Sequence, residues 1–214
     1  MEAFFKHEKI MITGNPVRQS IAKSTVTRTE AMEALRLDPT KKTILVIGGS
    51  LGAKSINDAI AHHIDVFEKN KMQLIWQTGK TNAKKYKAIV NGRKNVWINE
   101  FIEKMEIAYA AADVVISRAG AMSVTELCVV KKPVVFVPYP HAAEDHQTAN
   151  AMHLVNKQAA LIVKDGEALH TLVYVIIDLA KSEMLQQKLK QHIAALAITN
   201  ADTVIANEIM KEIT

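Results

Sequence analysis

The stretch Asp113-Val114-Val115-Ile116-Ser117-Arg118-Ala119-Gly120-Ala121-Met122-Ser123-Val124-Thr125-Glu126 runs from an apolar segment through small residues into a helical pattern. Its first four residues read as a short buried parallel strand, and the helix begins at about Ala121. Gly120 lets a backbone approach a ligand where a side chain would collide. The N–H groups near Ala121, Met122 and Ser123 have no partner within the helix and lie at the positive end of its dipole, so a diphosphate fits there. Glu126 follows about one turn further in, where a carboxylate accepts hydrogen bonds from both hydroxyls of a ribose. The same residues also fit an ordinary helix with a solvated glutamate. Taken as a ligand site, the segment is built to hold a sugar nucleotide.

Outward from this unit, strands and helices alternate. Strands are expected over 10–13, 43–47, 73–77, 96–98, 114–117, 134–137 and 160–163. Helices are expected over 28–37, 55–70, 82–90, 105–112, 121–130 and 145–156, then 167–179, 183–197 and 202–213 without intervening strands. This alternation is the pattern of an α/β, Rossmann-like parallel sheet with helices on both faces. At 214 residues, 49% hydrophobic and 23% charged, the chain can bury one full core, so a single domain over 1–214 is expected. The opening Met1-Glu2-Ala3-Phe4-Phe5-Lys6 leads directly into the Ile10 segment, as though the chain began partway through a longer protein.

Composition excludes several classes. The formal charge of +5 comes from dispersed lysines such as Lys41, Lys42, Lys84, Lys85 and Lys87, which solvate loops and helix faces, so no nucleic-acid partner is expected. No run approaches the ~20 apolar residues of a membrane span, and no signal-peptide pattern opens the chain. The lone Cys128 reads as a buried, inert thiol in a reducing cytoplasm. His141 and His146 lack companions at metal-ligand spacing, so neither a metal nor another cofactor is expected.

Four further segments carry chemistry. Thr43-Ile44-Leu45-Val46-Ile47-Gly48-Gly49-Ser50-Leu51-Gly52-Ala53 is a strand, a glycine-rich turn and a helix start, in which Ser50 offers a hydroxyl and an N–H to phosphate. The strand over 73–77 ends without an acidic residue, which argues against a dinucleotide site. Arg18, after Gly14-Asn15-Pro16, brings a guanidinium to a strand end, and Arg118 is expected to converge on the same crevice. Backbone groups of Ile102 can read the edge of a base, with Ile102 and Met105 packing its face, although Ile102 fits an ordinary core position as well. Gln147 and Asn150 share one helix face and suit sugar hydroxyls, while Asp145 is placed to cap their helix.

In order and spacing, Gly14-Asn15-Pro16-Val17-Arg18, the Gly48 to Ala53 loop, Glu100-Phe101-Ile102, Arg118 to Glu126 and Asp145-His146-Gln147-Thr148-Ala149-Asn150-Ala151 resemble the carboxyl-terminal half of the MurG family, the N-acetylglucosaminyltransferases of peptidoglycan lipid II synthesis. The resemblance implies the carboxyl-terminal domain of a GT-B glycosyltransferase, holding UDP-N-acetylglucosamine. It assigns Arg18 and Ser50 to the diphosphate region, Ile102 to uracil, and the helix start at Ala121, Met122, Ser123, Val124 and Thr125 to phosphate and its surroundings. Glu126 goes to ribose, and Gln147, assisted by Asn150, to the transferred sugar. No catalytic residue is expected in this chain, which would bind donor without turnover. The lipid I acceptor and membrane contact would belong to the family's amino-terminal domain, on the cytoplasmic face of the bacterial inner membrane. Two alternatives remain open: a donor-binding subunit of a split glycosyltransferase, and an enzyme like the UDP-N-acetylglucosamine epimerases.

Overall fold

The structure, a computed structural model, describes residues 10–213. The lead-in over 1–6 lies outside them. Apolar, β-branched runs form the strands β1 (Thr43–Ile47), β2 (Gln73–Gln77), β3 (Val96–Asn99), β4 (Val114–Ser117), β5 (Val134–Phe136) and β6 (Leu161–Ile162). They pair in parallel in the order β3-β2-β1-β4-β5-β6. Every residue of β1, β2 and β4 is buried, as expected for central strands covered on both faces.

The two-residue period of each strand divides the core. Ile44, Val46, Leu74, Trp76, Val114 and Ile116 project to one face, while Leu45, Ile47, Ile75 and Val115 project to the other. The first face is covered by α3 (Lys54–His62), α4 (Ile64–Lys69) and α9 (Ala168–Lys181). The second is covered by α2 (Arg28–Leu35), α6 (Met105–Ala111), α7 (Ala121–Val129) and α8 (His146–Val155). Three other helices complete the described chain beside α5 (Ala83–Ile89): the single turn α1 (Gln19–Ala22), then α10 (Glu183–Ala194) and α11 (Ala201–Ile213). The α/β, Rossmann-like class is therefore the observed one.

Three local expectations are corrected. Residues 10–13 form no strand; Met11 and Ile12 are exposed, and the segment that follows is fastened to α7 by Asn15 and Arg18 rather than to a strand. The helix expected over 55–70 breaks at His63, whose φ of −107° and ψ of 21° lie outside helical geometry. Asp145 stands at the N-cap of α8 but at φ 51°, and its side chain caps nothing.

Candidate functional site

The strand order reverses direction between β1 and β4, and in open α/β sheets the crevice beyond the carboxyl ends of two such strands is where ligands bind. A cleft of about 760 Å³ opens there, lined by Ser50, Asn57, Gly120, Ser123, Tyr139 and Gln147 among others. Its floor is a glycine contact. Gly52 (φ +84°) and Gly79 (φ +73°) pack backbone to backbone, and a Cβ on Gly79 would stand 2.0 Å from Gly52 N, so neither position admits a side chain. Asn57, buried in α3, locks this floor by donating to Thr78 O at 2.8 Å and accepting from the Trp76 indole at 2.8 Å. Gln77, at the end of β2 where dinucleotide folds place an acid, donates instead to Gly49 O at 3.0 Å.

Two cations line the cleft, Lys54 and Arg118, and both are paired with carboxylates, Asp58 and Asp165. The nine-residue helices α3 and α7 both start beside the cleft without a side-chain cap, so their first N–H groups stay available to an anion. Gly120, the N-cap of α7, has φ −66° and ψ 149°, and a Cβ there would meet no protein atom within 4 Å. Neither backbone conformation nor packing demands glycine at that position. The space its missing side chain leaves faces the cleft.

Arg118, expected to converge on a ligand, is committed elsewhere. It donates to Val137 O at 2.9 Å, to Pro138 O at 3.1 Å and to Ser55 Oγ at 3.1 Å, and pairs with Asp165, which also accepts from Ser55. With 12% side-chain exposure, this arginine ties the β4–α7 turn to α3 and the turn before α9. Asp165 gave no signal in sequence, since it lies far along the chain in an unremarkable Lys-Asp-Gly-Glu turn.

Arg18 reaches α7. Its guanidinium lies 3.4 Å from Glu126 Oε1, and Asn15 Nδ2 donates to Thr125 Oγ1 at 3.1 Å, so the Gly14 to Arg18 segment is fastened along the helix. Arg18 is 55% exposed and Glu126 only 12%. The buried Tyr109 of α6 donates to Glu126 Oε2 at 3.0 Å. Burial and the charge of Glu126 hold the Tyr109 phenol well above its ordinary range. Ile102 is buried in the same apolar cluster as Met105 and Tyr109, and among the described residues neither its N–H nor its carbonyl bonds to another backbone group. Ile102 is only 4% exposed and lies outside the cleft lining.

The structure thus brings Ser50, Ser123 and Gln147 into one cleft and Arg18 with Glu126 into an adjoining group on α7. Ala121 and Met122 are exposed at the helix start, with Val124 and Thr125 partly covered behind them. Gln147 accepts from Tyr139 N at 3.0 Å, leaving its amide NH2 free. Asn150 spends an amide hydrogen on Ala119 O at 3.0 Å, which places it as a brace of the α7 entry. Among the described residues no group of three or more His, Cys, Asp or Glu could hold a metal ion, and no helix is long and apolar enough to cross a membrane.

The sequence profile of the Glycosyltransferase family 28 C-terminal domain matches residues 43–209. The chain belongs to this family. It is 46% identical over 211 residues to the UDP-N-acetylglucosamine--N-acetylmuramyl-(pentapeptide) pyrophosphoryl-undecaprenol N-acetylglucosamine transferase of Flavobacterium psychrophilum, covering 99% of this chain and 57% of that protein. The protein of the same name from Phocaeicola vulgatus is 45% identical over 214 residues, with 99% and 57% covered. This family 28 chain therefore spans little more than half the length of those relatives. The crystal structure of Acinetobacter baumannii MurG superposes with a TM-score of 0.71 at 30% identity, covering 89% of this chain and 55% of that one. The S. aureus MnaA–UDP co-structure shares the fold, with a TM-score of 0.70 at 14% identity over 99% of this chain and 57% of that one. The chain is thus a glycosyltransferase C-terminal domain of the GT-B type.

Proposed function

We propose that this domain is the donor-binding half of an inverting glycosyltransferase that moves N-acetylglucosamine from UDP-N-acetylglucosamine to lipid I, making lipid II in peptidoglycan synthesis. The observation that carries the reading is the uncapped start of α7 beside the β1–β4 cleft, with Glu126 one turn behind it. Unpaired N–H groups of Ala121, Met122 and Ser123 suit a diphosphate, the Glu126 carboxylate suits a ribose, and the free backbone groups of Ile102 suit uracil. The Gln147 amide, at the cleft wall, suits the transferred sugar. The names and shared sequence of the Flavobacterium and Phocaeicola relatives support the same assignment.

In the reaction an acceptor hydroxyl attacks the anomeric carbon and the UDP oxygen leaves with the bonding pair. The α7 N-terminus and the exposed Arg18 guanidinium suit the charge that gathers on the departing diphosphate. Acceptor binding, membrane contact at the cytoplasmic face and the general base are assigned to an amino-terminal domain like that of the longer relatives, so this chain alone binds donor and transfers nothing. Calorimetric titration with UDP-N-acetylglucosamine, UDP and NAD tests the proposal. Saturable binding of both uridine compounds and none of NAD is expected; equal binding of NAD, or no heat from the uridine compounds, refutes it.

A further inference from the structure

Tyr109 lies on α6, away from the cleft lining, and its side chain is 2% exposed. Its hydroxyl makes one hydrogen bond, to Glu126 Oε2 at 3.0 Å. A buried phenol usually finds a carbonyl partner or water; this one is spent on the carboxylate of a neighbouring helix. An ionised carboxylate has about four acceptor positions, two on each oxygen. Here Tyr109 takes one on Oε2 and Arg18 takes one on Oε1, at 3.4 Å. One position on each oxygen remains, and a vicinal diol needs just that pair of adjacent acceptors. Without the phenol, the Glu126 side chain could rotate about its own bonds or turn wholly toward Arg18, because no other described side chain or backbone group holds Oε2.

We infer that Tyr109 is a positioning residue for the ribose contact: its hydroxyl fixes the rotation of the Glu126 carboxylate so that both oxygens face the two hydroxyls of the donor's pentose. The inference rests on Glu126 as the ribose acceptor. Tyr109 touches no substrate itself and acts only through that side chain. Burial places it beyond the reach of the ligand, and the apolar cluster around its ring, with Met105 and Ile102, keeps the hydroxyl at a constant place.

The experiment is a comparison of UDP with 2′-deoxy-UDP on the whole chain and on Tyr109→Phe, which keeps the ring and removes the hydroxyl. In the parent protein UDP should bind at least about tenfold tighter than 2′-deoxy-UDP, since a hydrogen bond to a charged group is lost with the hydroxyl. Tyr109→Phe should weaken UDP about five- to tenfold and 2′-deoxy-UDP, which keeps one of the two hydroxyls, by less, so that the preference shrinks. A residue with a merely structural role would weaken both ligands equally. If the parent shows no preference, the ribose role of Glu126 is wrong. If the parent shows it and Tyr109→Phe keeps it in full, the positioning role alone is overturned. Circular dichroism checks the fold of the variant. Should Tyr109→Phe not fold, the same change is made in Glu126→Gln, where removing the phenol strips no buried carboxylate of its donor. Acting through Glu126, the tyrosine should then cost no further UDP affinity, and an additional fivefold loss would overturn the inference.

Discussion

Replacing Gly120 by serine should make the domain more stable and a poorer binder at once. Gly120 is the N-cap of α7, with φ −66° and ψ 149°, a conformation serine adopts freely, and a Cβ there meets no protein atom within 4 Å. A serine hydroxyl at an N-cap accepts from the N–H two or three residues on, here Met122 or Ser123, and is worth a few tenths of a kcal/mol over glycine. Removing a glycine from a position where its freedom is unused lowers the entropy of the unfolded chain, worth about 0.4–1 kcal/mol. Together these stabilise by about 0.5–1.5 kcal/mol, which for a domain of this length raises Tm by roughly 1–6 °C. The same hydroxyl occupies an N–H group assigned to the diphosphate and fills the space before it. Losing one charge-assisted bond costs about 1.5–3 kcal/mol, a ten- to hundredfold rise in the Kd for UDP. Thermal unfolding and isothermal calorimetry on Gly120→Ser read both effects. A lower Tm would mean that packing demands glycine after all, and an unchanged Kd would remove the α7 start from the binding site.

Other expectations follow from single contacts. Glu126→Ala should weaken UDP by roughly ten- to a hundredfold, about 1.5–3 kcal/mol, measured by calorimetry; an unchanged Kd takes Glu126 out of the site. UDP should bind at least about tenfold tighter than ADP if the unpaired backbone groups of Ile102 read a pyrimidine edge, and equal affinities in competition titration contradict that placement. Asn57→Ala strips partners from the Trp76 indole and Thr78 carbonyl, both buried, and should cost about 2–4 kcal/mol in urea unfolding; a loss below about 1 kcal/mol would show that the glycine floor stands without it. Burial pushes the Lys132 ammonium, which donates to Ala112 O at 2.6 Å, down to about 8 from 10.5, with Asp113 opposing. Below pH 8 the lysine is charged in both states and its burial costs stability; between 8 and 10.5 the unfolded chain binds the extra proton, so stability rises with pH through that window. Lys132→Met should therefore stabilise the domain at pH 7 on the order of 2 kcal/mol, with the gain gone above pH 10.5; a gain independent of pH would assign it to packing.

The periodicities in the chain were sufficient for its architecture. Short apolar runs at 44–47 and 74–76, bounded by polar residues and separated by helical patterns, read as buried strands of a parallel sheet. The start of α7 was equally legible, because glycine followed by helix formers is a local signal. Reading failed at 10–13, where four apolar-leaning residues look like a strand but the chain there leads onto the α7 helix instead of a sheet edge. It failed again at Arg118: a strand-end arginine looks free for a ligand until Asp165, Ser55 and the carbonyls of Val137 and Pro138 are seen around it.

What the amino-acid order determined by itself were local matters: most of the strand and helix segments, the glycine-rich turns, and the uncapped start of α7. Side-chain and backbone partners distant in sequence were settled by the tertiary structure alone. Tyr109 meets Glu126 across two helices, Gly79 meets Gly52 across two loops, and Asp165 claims Arg118 from the far end of the sheet. The reason is physical: period and propensity act over a turn or two of chain, whereas a hydrogen bond is decided by which groups the packed layers bring within about 3 Å of one another.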